Sequence, residues 1–353
     1  MSTTTKSPKK VVRTALRVAA RVLPLYSHHM SPKKFSQPQL FACLVLKTFF
    51  KTDYRGICAY LADMPDLRRA IGLKDVPHFT TLHKASQRLL AVDTCKNLLH
   101  STLWGLNHLL PLAAVDATGL QSGHISPYFY SVREKASKKL VWTHFTQYPK
   151  LAAVADTETH MIISFLATRG PTRDSTHFKT ILDSLPQDIK VEHILADAGY
   201  DKEDNHIYAR EILGILTTIP PTCGSPPKNL PRKYYRRLMK LNFDTTAYKQ
   251  RWQIETVFSM IKRNLGYTVR AKVQTNQNAE MFLMAITHNI LIILFLFFKE
   301  LFYRAGVWTC YMSQSAGGFS ARVVKCKRCI SRRRSPRWLS RRQSEMILTF
   351  CFW

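Results

Sequence analysis

Between residues 112 and 219, short aliphatic runs alternate with helical stretches, and that alternation limits the fold more than any other feature. LAAVDATGL (112–120) is β-prone, and LAAVAD (151–156) and HMIISFLATR (160–169) follow, parted by the turn-like TET. STHFKTILDSL then has a helical pattern opened by Asp174 or Ser175. EHILADAGYD (192–201) is a strand with a break, KEDNHIYAREI is helical, and LGILTTIP is again a strand. Strands joined by a short turn pair antiparallel, whereas strands separated by a helix normally pair parallel. The order predicts an α/β domain with a mixed sheet covered by helices.

Asp116 stands late in the first run, and Asp197 ends the run Ile-Leu-Ala, with Gly199 just beyond. Carboxylates at strand ends lie on the rim where α/β sheets bind ligands. One such aspartate alone is better explained as a turn residue. A third acid changes the balance. In YKQRWQIETVFSMIK (248–262), read as one helix at about 100° per residue, Tyr248, Arg251, Glu255 and Lys262 share a stripe about 60° wide. That stripe borders the apolar face of Ile254, Val257, Phe258, Ile261 and Leu265. A surface stripe built for stability would balance its charges. One carboxylate among two cations and a phenol instead suits a site facing a phosphate.

Two aspartates and a glutamate are hard oxygen donors of the kind Mg²⁺ or Mn²⁺ prefers. Two such ions about 4 Å apart can hold the attacking and leaving oxygens of an in-line displacement at phosphorus. No Walker loop or GxGxxG accompanies them.

The charge balance points to the same partner. Fifty-two Lys and Arg stand against 23 Asp and Glu, a formal +29. Residues 1–52 hold ten cations and no acid, residues 303–353 hold eleven and one Glu, and the centre carries only +9. Basic ends around an ordinary centre suit a polyanion that releases counterions on binding. The start, MSTTTKSPKKVVRTALRVAARVLPL, is basic and amphipathic but lacks the apolar stretch of a secretory signal; its composition also mimics a mitochondrial presequence. NILIILFLFF (289–298) is too short to span a bilayer, so no membrane partner is expected. Eight scattered cysteines form no disulfide framework, and the CxxC of Cys326 and Cys329 has no second pair for zinc.

Residues 36–107 have helical spacing throughout, opened by Ser36 and Pro38 and interrupted at Gly72. Thr80 or Thr81 is placed to cap a helix that displays His83, Lys84, Gln87 and Arg88, which fits a helix-turn-helix or a plain short bundle. RKYYRRLMK (232–240) mixes basic and aromatic residues, as a DNA-contacting segment or a solvated helix would.

Tyr248, Arg251, Glu255 and Lys262 match the Y-x2-R-x3-E-x6-K signature, and AAVDATG, ILADAGYD and GPTRDSTHF match upstream motifs, so residues 30–300 resemble the DDE transposases of bacterial and archaeal insertion sequences. The resemblance implies a ribonuclease H-like mixed sheet flanked by helices and preceded by an all-helical region. It implies that Asp116, Asp197 and Glu255 are the catalytic, metal-binding triad for two Mg²⁺ or Mn²⁺ ions. DNA contacts are expected at Tyr248, Arg251 and Lys262, and also at Arg263, Arg236, Arg237, Lys84 and Arg88. The implied partners are double-stranded DNA, as terminal inverted repeats and target, and further copies of the chain in a dimer or larger assembly. The implied place of action is the cytoplasm of a prokaryote, at the nucleoid. The corresponding layout is a basic flexible arm (1–35), a helical DNA-binding region (36–110), a catalytic core (111–302) and a basic tail (303–353). That tail is either a DNA-binding arm or sequence read past the element's normal stop. A stand-alone nuclease and a non-catalytic DNA-binding remnant remain open as alternatives.

Overall fold

A computed structural model of the 353-residue chain describes residues 5–104, 106, 108–122, 128–133, 140–145, 147–222 and 230–304. Six helices come first: α1 (Pro8–Val22), α2 (Gln37–Phe49), α3 (Tyr54–Asp63), α4 (Pro65–Ile71), α5 (Phe79–Leu89) and α6 (Val92–His100). Seven strands follow: β1 (Leu109–Leu110), β2 (Ala113–Gly119), β3 (Gln121–Ser122), β4 (Tyr128–Arg133), β5 (Leu140–Phe145), β6 (Tyr148–Asp156) and β7 (Ile162–Gly170). Then come α7 (Phe178–Leu182), β8 (Lys190–Val191), β9 (His193–Ala196), α8 (Glu203–Ile207) and β10 (Leu216–Thr218). The last elements are α9 (Tyr234–Leu241), α10 (Thr245–Tyr248), α11 (Trp252–Leu265), β11 (Thr268–Val269) and α12 (Gln274–Arg304).

The main sheet has the order β10-β9-β2-β6-β7. β2, β6 and β7 are successively antiparallel, while β9 and β10 run parallel to β2. This is the mixed sheet flanked by helices that the strand and helix order led one to expect, and it agrees with the ribonuclease H-like arrangement that the resemblance implied. Side chains alternate across it. Ala113, Val115, Ala152 and Val154 join Phe178, Ile181 and Leu182 of α7 on one face. Ala114, Leu151, Ala153 and Phe165 join α11, α12 and the N-terminal helices on the other. The β4–β5 hairpin was not foreseen.

The start of the chain departs from expectation. Residues 1–35 are not a free arm, because α1 is a packed helix whose Val11, Val12, Ala15, Val18 and Ala19 are all at most 1% exposed. Those positions form one apolar stripe, and each fully buried valine contributes about 1.5–3 kcal/mol. Ser101 Oγ donates to the Val18 carbonyl at 3.1 Å, and Lys9 pairs with Asp66 at 2.8 Å. The change expected near residue 110 is a change of secondary structure within one compact unit, since residues 1–296 cluster together. Of residues 297–353 only 297–304 are described, as helix, so the tail expectation and the CxxC lie outside the described residues.

Helix starts follow local chemistry. Ser36 and Gln39 form a reciprocal capping box on α2, and Gly72 ends α4 at φ +75°. α5 begins at Phe79 with His78 in the cap position, so neither Thr80 nor Thr81 caps it. The stretch 248–262 is not one continuous α-helix. Asp244 caps α10, a 3₁₀ turn spans Lys249–Arg251, and α11 starts at Trp252. Among the described residues no helix is long and apolar enough to cross a membrane.

A bulge between β6 and β7 displaces the ladder at Val154/Ala155, and Asn289 of α12 repairs it. Its Oδ1 accepts from Ile162 N at 2.9 Å, and its Nδ2 donates to Ile162 O and Thr102 Oγ1, each at 2.8 Å. Asn289→Ala removes this partner from Ile162 N and O and one of the two bonds of Thr102 Oγ1, and should lower stability by about 2–4 kcal/mol in urea denaturation. A loss below about 0.5 kcal/mol would contradict this role for Asn289.

Candidate active site

β2 and β9 pair in the register Ala113↔Ile194, Ala114↔Leu195 and Val115↔Ala196, so the next residues are Asp116 in β2 and Asp197, which follows the end of β9 with extended backbone. Strand alternation sends both toward the face of Ala114 and Leu195, which α11 covers. Glu255 stands on the exposed flank of α11, one turn after Arg251. The guanidinium of Arg251 links two of the acids. Its Nη1 lies 3.4 Å from Asp116 Oδ2, and its Nη2 lies 2.5 Å from Glu255 Oε1. Tyr248 sits beside it, with the ring centroid 5.9 Å from Arg251 Cζ.

Burial, at 21% side-chain exposure, pushes the Asp116 carboxyl up to about 6. The Ala117 N–H and Arg251 oppose that shift, and the charges of Asp197 and Asp174 add to it. The same three aspartates add to the effect of burial in raising the Tyr200 hydroxyl, and burial likewise raises Tyr248. The acids are therefore within electrostatic reach of one another. Asp174 does not cap its helix, because its carboxylate pairs with the nearly buried Lys150.

Asp197 and Glu255 with the desolvated Asp116 suit a hard divalent cation by donor type. They do not yet converge: among the described residues no three His, Cys, Asp or Glu side chains are grouped to ligate one ion. Arg251 stands between Asp116 and Glu255, so the guanidinium must leave before both carboxylates can reach one cation.

Beside these acids lies an open groove of about 840 Å³, lined by Lys51, Asp116, Glu255, Lys262, Arg263 and Tyr267 among others. Lys262 and Arg263, expected DNA contacts, are thus on the groove. Lys84 and Arg88 are exposed on α5, and Arg237 is exposed on α9. Arg236 is different. Its Nε donates to both Asp201 oxygens at 2.9 and 3.0 Å and its Nη2 to Oδ2 at 2.7 Å, while the Asp201 carboxylate is fully buried. Withdrawing the guanidinium would leave a buried charge without its cation, so Arg236 has a structural role in anchoring α9. Lys51 escaped the sequence reading because it reaches the groove only when the turn after α2 packs on the distant α11. No local pattern marks it.

Residues 108–290, more than half of the chain, match the Transposase DDE domain family, and the chain belongs to that family. Among solved structures it is similar to a piggyBac transposase synaptic complex with hairpin DNA. The identity is 10%, the overlap covers 83% of this chain and 74% of that one, and the TM-score is 0.41. Curated proteins include no match.

The raised Asp116 carboxyl has a consequence for stability. An acid whose folded value exceeds its ordinary 3.8 holds its proton more tightly when folded. Stability is then lost as pH rises from about 4 to about 6, and the cost is complete above that range. In EDTA at neutral pH, Asp116→Asn should therefore be more stable than the parent by about 1–3 kcal/mol. The gain should vanish below about pH 4 in thermal melts. A destabilised variant at neutral pH would contradict the buried-charge account.

Proposed function

We propose that this DDE-family transposase is encoded by an insertion sequence, with Asp116, Asp197 and Glu255 as its acidic triad. It would cut DNA at the element ends with Mg²⁺ or Mn²⁺ and join the freed 3′-hydroxyl to target DNA. The observation that carries this reading is the β2–β9 register, which brings Asp116 and Asp197 side by side on the face where α11 supplies Glu255. The Tyr248, Arg251, Glu255 and Lys262 spacing supports placing it in the group with that signature.

The three carboxylates would hold two cations, which when bound supply charge stabilisation at the scissile phosphate and at the attacking oxygen. The rest falls to the chain's own groups. Lys262 on the groove and the Tyr248 hydroxyl would bind and orient phosphate oxygens. Arg251, once free of Asp116 and Glu255, offers parallel N–H donors that match a phosphate. Its present position keeps the carboxylates from repelling one another before a substrate arrives. The groove is open and lined by Lys51, Lys262 and Arg263, which suits a polyanion such as a duplex. Pairing two element ends calls for a dimer or larger assembly, working at the nucleoid.

Asp116→Asn, Asp197→Asn and Glu255→Gln should each reduce end cleavage by about 10³-fold or more while end binding survives. An assay with pre-cut 3′-hydroxyl ends then separates transposase from nuclease. Joining to a plasmid target is expected, and cleavage without any joining would favour a stand-alone nuclease. Full activity in any one of the three variants would refute the triad.

A further inference from the structure

Next to the catalytic groove the surface carries cations with no acid to answer them. Lys262 and Arg263 border the groove itself. Lys51 sits in the turn after α2 and donates from Nζ to the Arg263 carbonyl at 2.8 Å, while its own carbonyl accepts from Arg270 Nη2 at 2.7 Å. Lys51 holds φ +53°, a left-handed backbone uncommon for a side chain of its size. Arg270 and Lys272 then line a second cleft of about 340 Å³, whose far wall includes His83 of α5. Lys51 and Arg270 thus join two hollows into one path.

Among the described residues none of these five cations is ion-paired with a carboxylate. The nearby acids are committed elsewhere. Glu280 pairs with Lys47 and accepts from the Arg270 backbone N–H, and Asp53 caps α3. Five exposed or half-exposed cations held in a row without counter-charges repel one another, and a polyanion relieves that repulsion.

We propose that Lys262, Arg263, Lys51, Arg270 and Lys272 form a phosphate-bearing strip that leads DNA from the catalytic groove to the exposed face of α5. This rests on the DNA-cutting reading above, and it adds that the helical region contributes directly to the groove through Lys51. The path also makes one duplex continuous between the acids and the α5 residues His83, Lys84 and Arg88 of the same chain. A purely structural role for Lys51, tethering the carbonyl end of α11, makes a different forecast: lower thermal stability with unchanged DNA binding.

The test is the salt dependence of duplex binding by fluorescence anisotropy, between about 50 and about 300 mM KCl. Each lost phosphate contact lowers the log–log slope by about 0.9. Lys51→Gln/Arg270→Gln/Lys272→Gln should therefore flatten the slope by about 2–3, and Lys51→Arg/Arg270→Lys/Lys272→Arg should restore it. Arg270→Gln/Lys272→Gln removes the Arg270 bond to the Lys51 carbonyl but leaves the Lys51 Nζ tether intact, and should still flatten the slope by about 1.8. An unchanged slope in that double variant, beside a strongly salt-dependent parent, overturns the strip and leaves the catalytic reading standing. A parent that binds duplex without salt dependence overturns both.

Discussion

Parallel pairing of β2 with β9 is the constraint on which the rest of the molecule depends. It brings Asp116 and Asp197 to neighbouring positions from points 81 residues apart in the chain. A slip of one residue would turn either carboxylate to the opposite face. The register is held by the two cores that sandwich the sheet: Ala113, Val115, Ile194 and Ala196 pack on one side, and Ala114 and Leu195 on the other. The site's geometry is therefore secured by apolar packing, and the acids contribute charge that the packing makes costly. Asp116 shows that cost in its raised proton affinity.

Arg251 is the counterweight. In a desolvated site two carboxylates repel unless a cation lies between them. The guanidinium spans Asp116 and Glu255 from the 3₁₀ turn that precedes α11. That turn separates α10, which ends at Tyr248, from α11, which starts after Arg251. On the proposed function, the same side chain would change partners, from carboxylates to a phosphate.

The sequence made the sheet legible because short aliphatic runs at β2, β6, β7, β9 and β10, buried on both faces and parted by turns or helical stretches, have few alternatives. The neighbouring placement of Asp116 and Asp197 was legible for a related reason, since each interrupts or ends an apolar run where packing alone would not place an acid. Other features depended on contacts that no local pattern carries. The basic residues of α1 suggested a free arm, yet its valine stripe meets α2 and buries. Arg236 looked like a DNA contact among its basic and aromatic neighbours, but the buried Asp201 claims it. Lys51 entered the groove only through the packing of α2 against α11. The β6–β7 bulge likewise made Asn289 a structural anchor, which a polar residue in an apolar run does not by itself disclose.

The central claim is that three acids from β2, β9 and α11 gather divalent cations at one place in the fold. Substituting Fe²⁺ and generating hydroxyl radicals cuts the polypeptide beside the bound metal. The account predicts fragments from cuts near residues 116, 197 and 255, and their loss in Asp197→Asn. Cuts clustered elsewhere, or a pattern unaltered by that substitution, would contradict it.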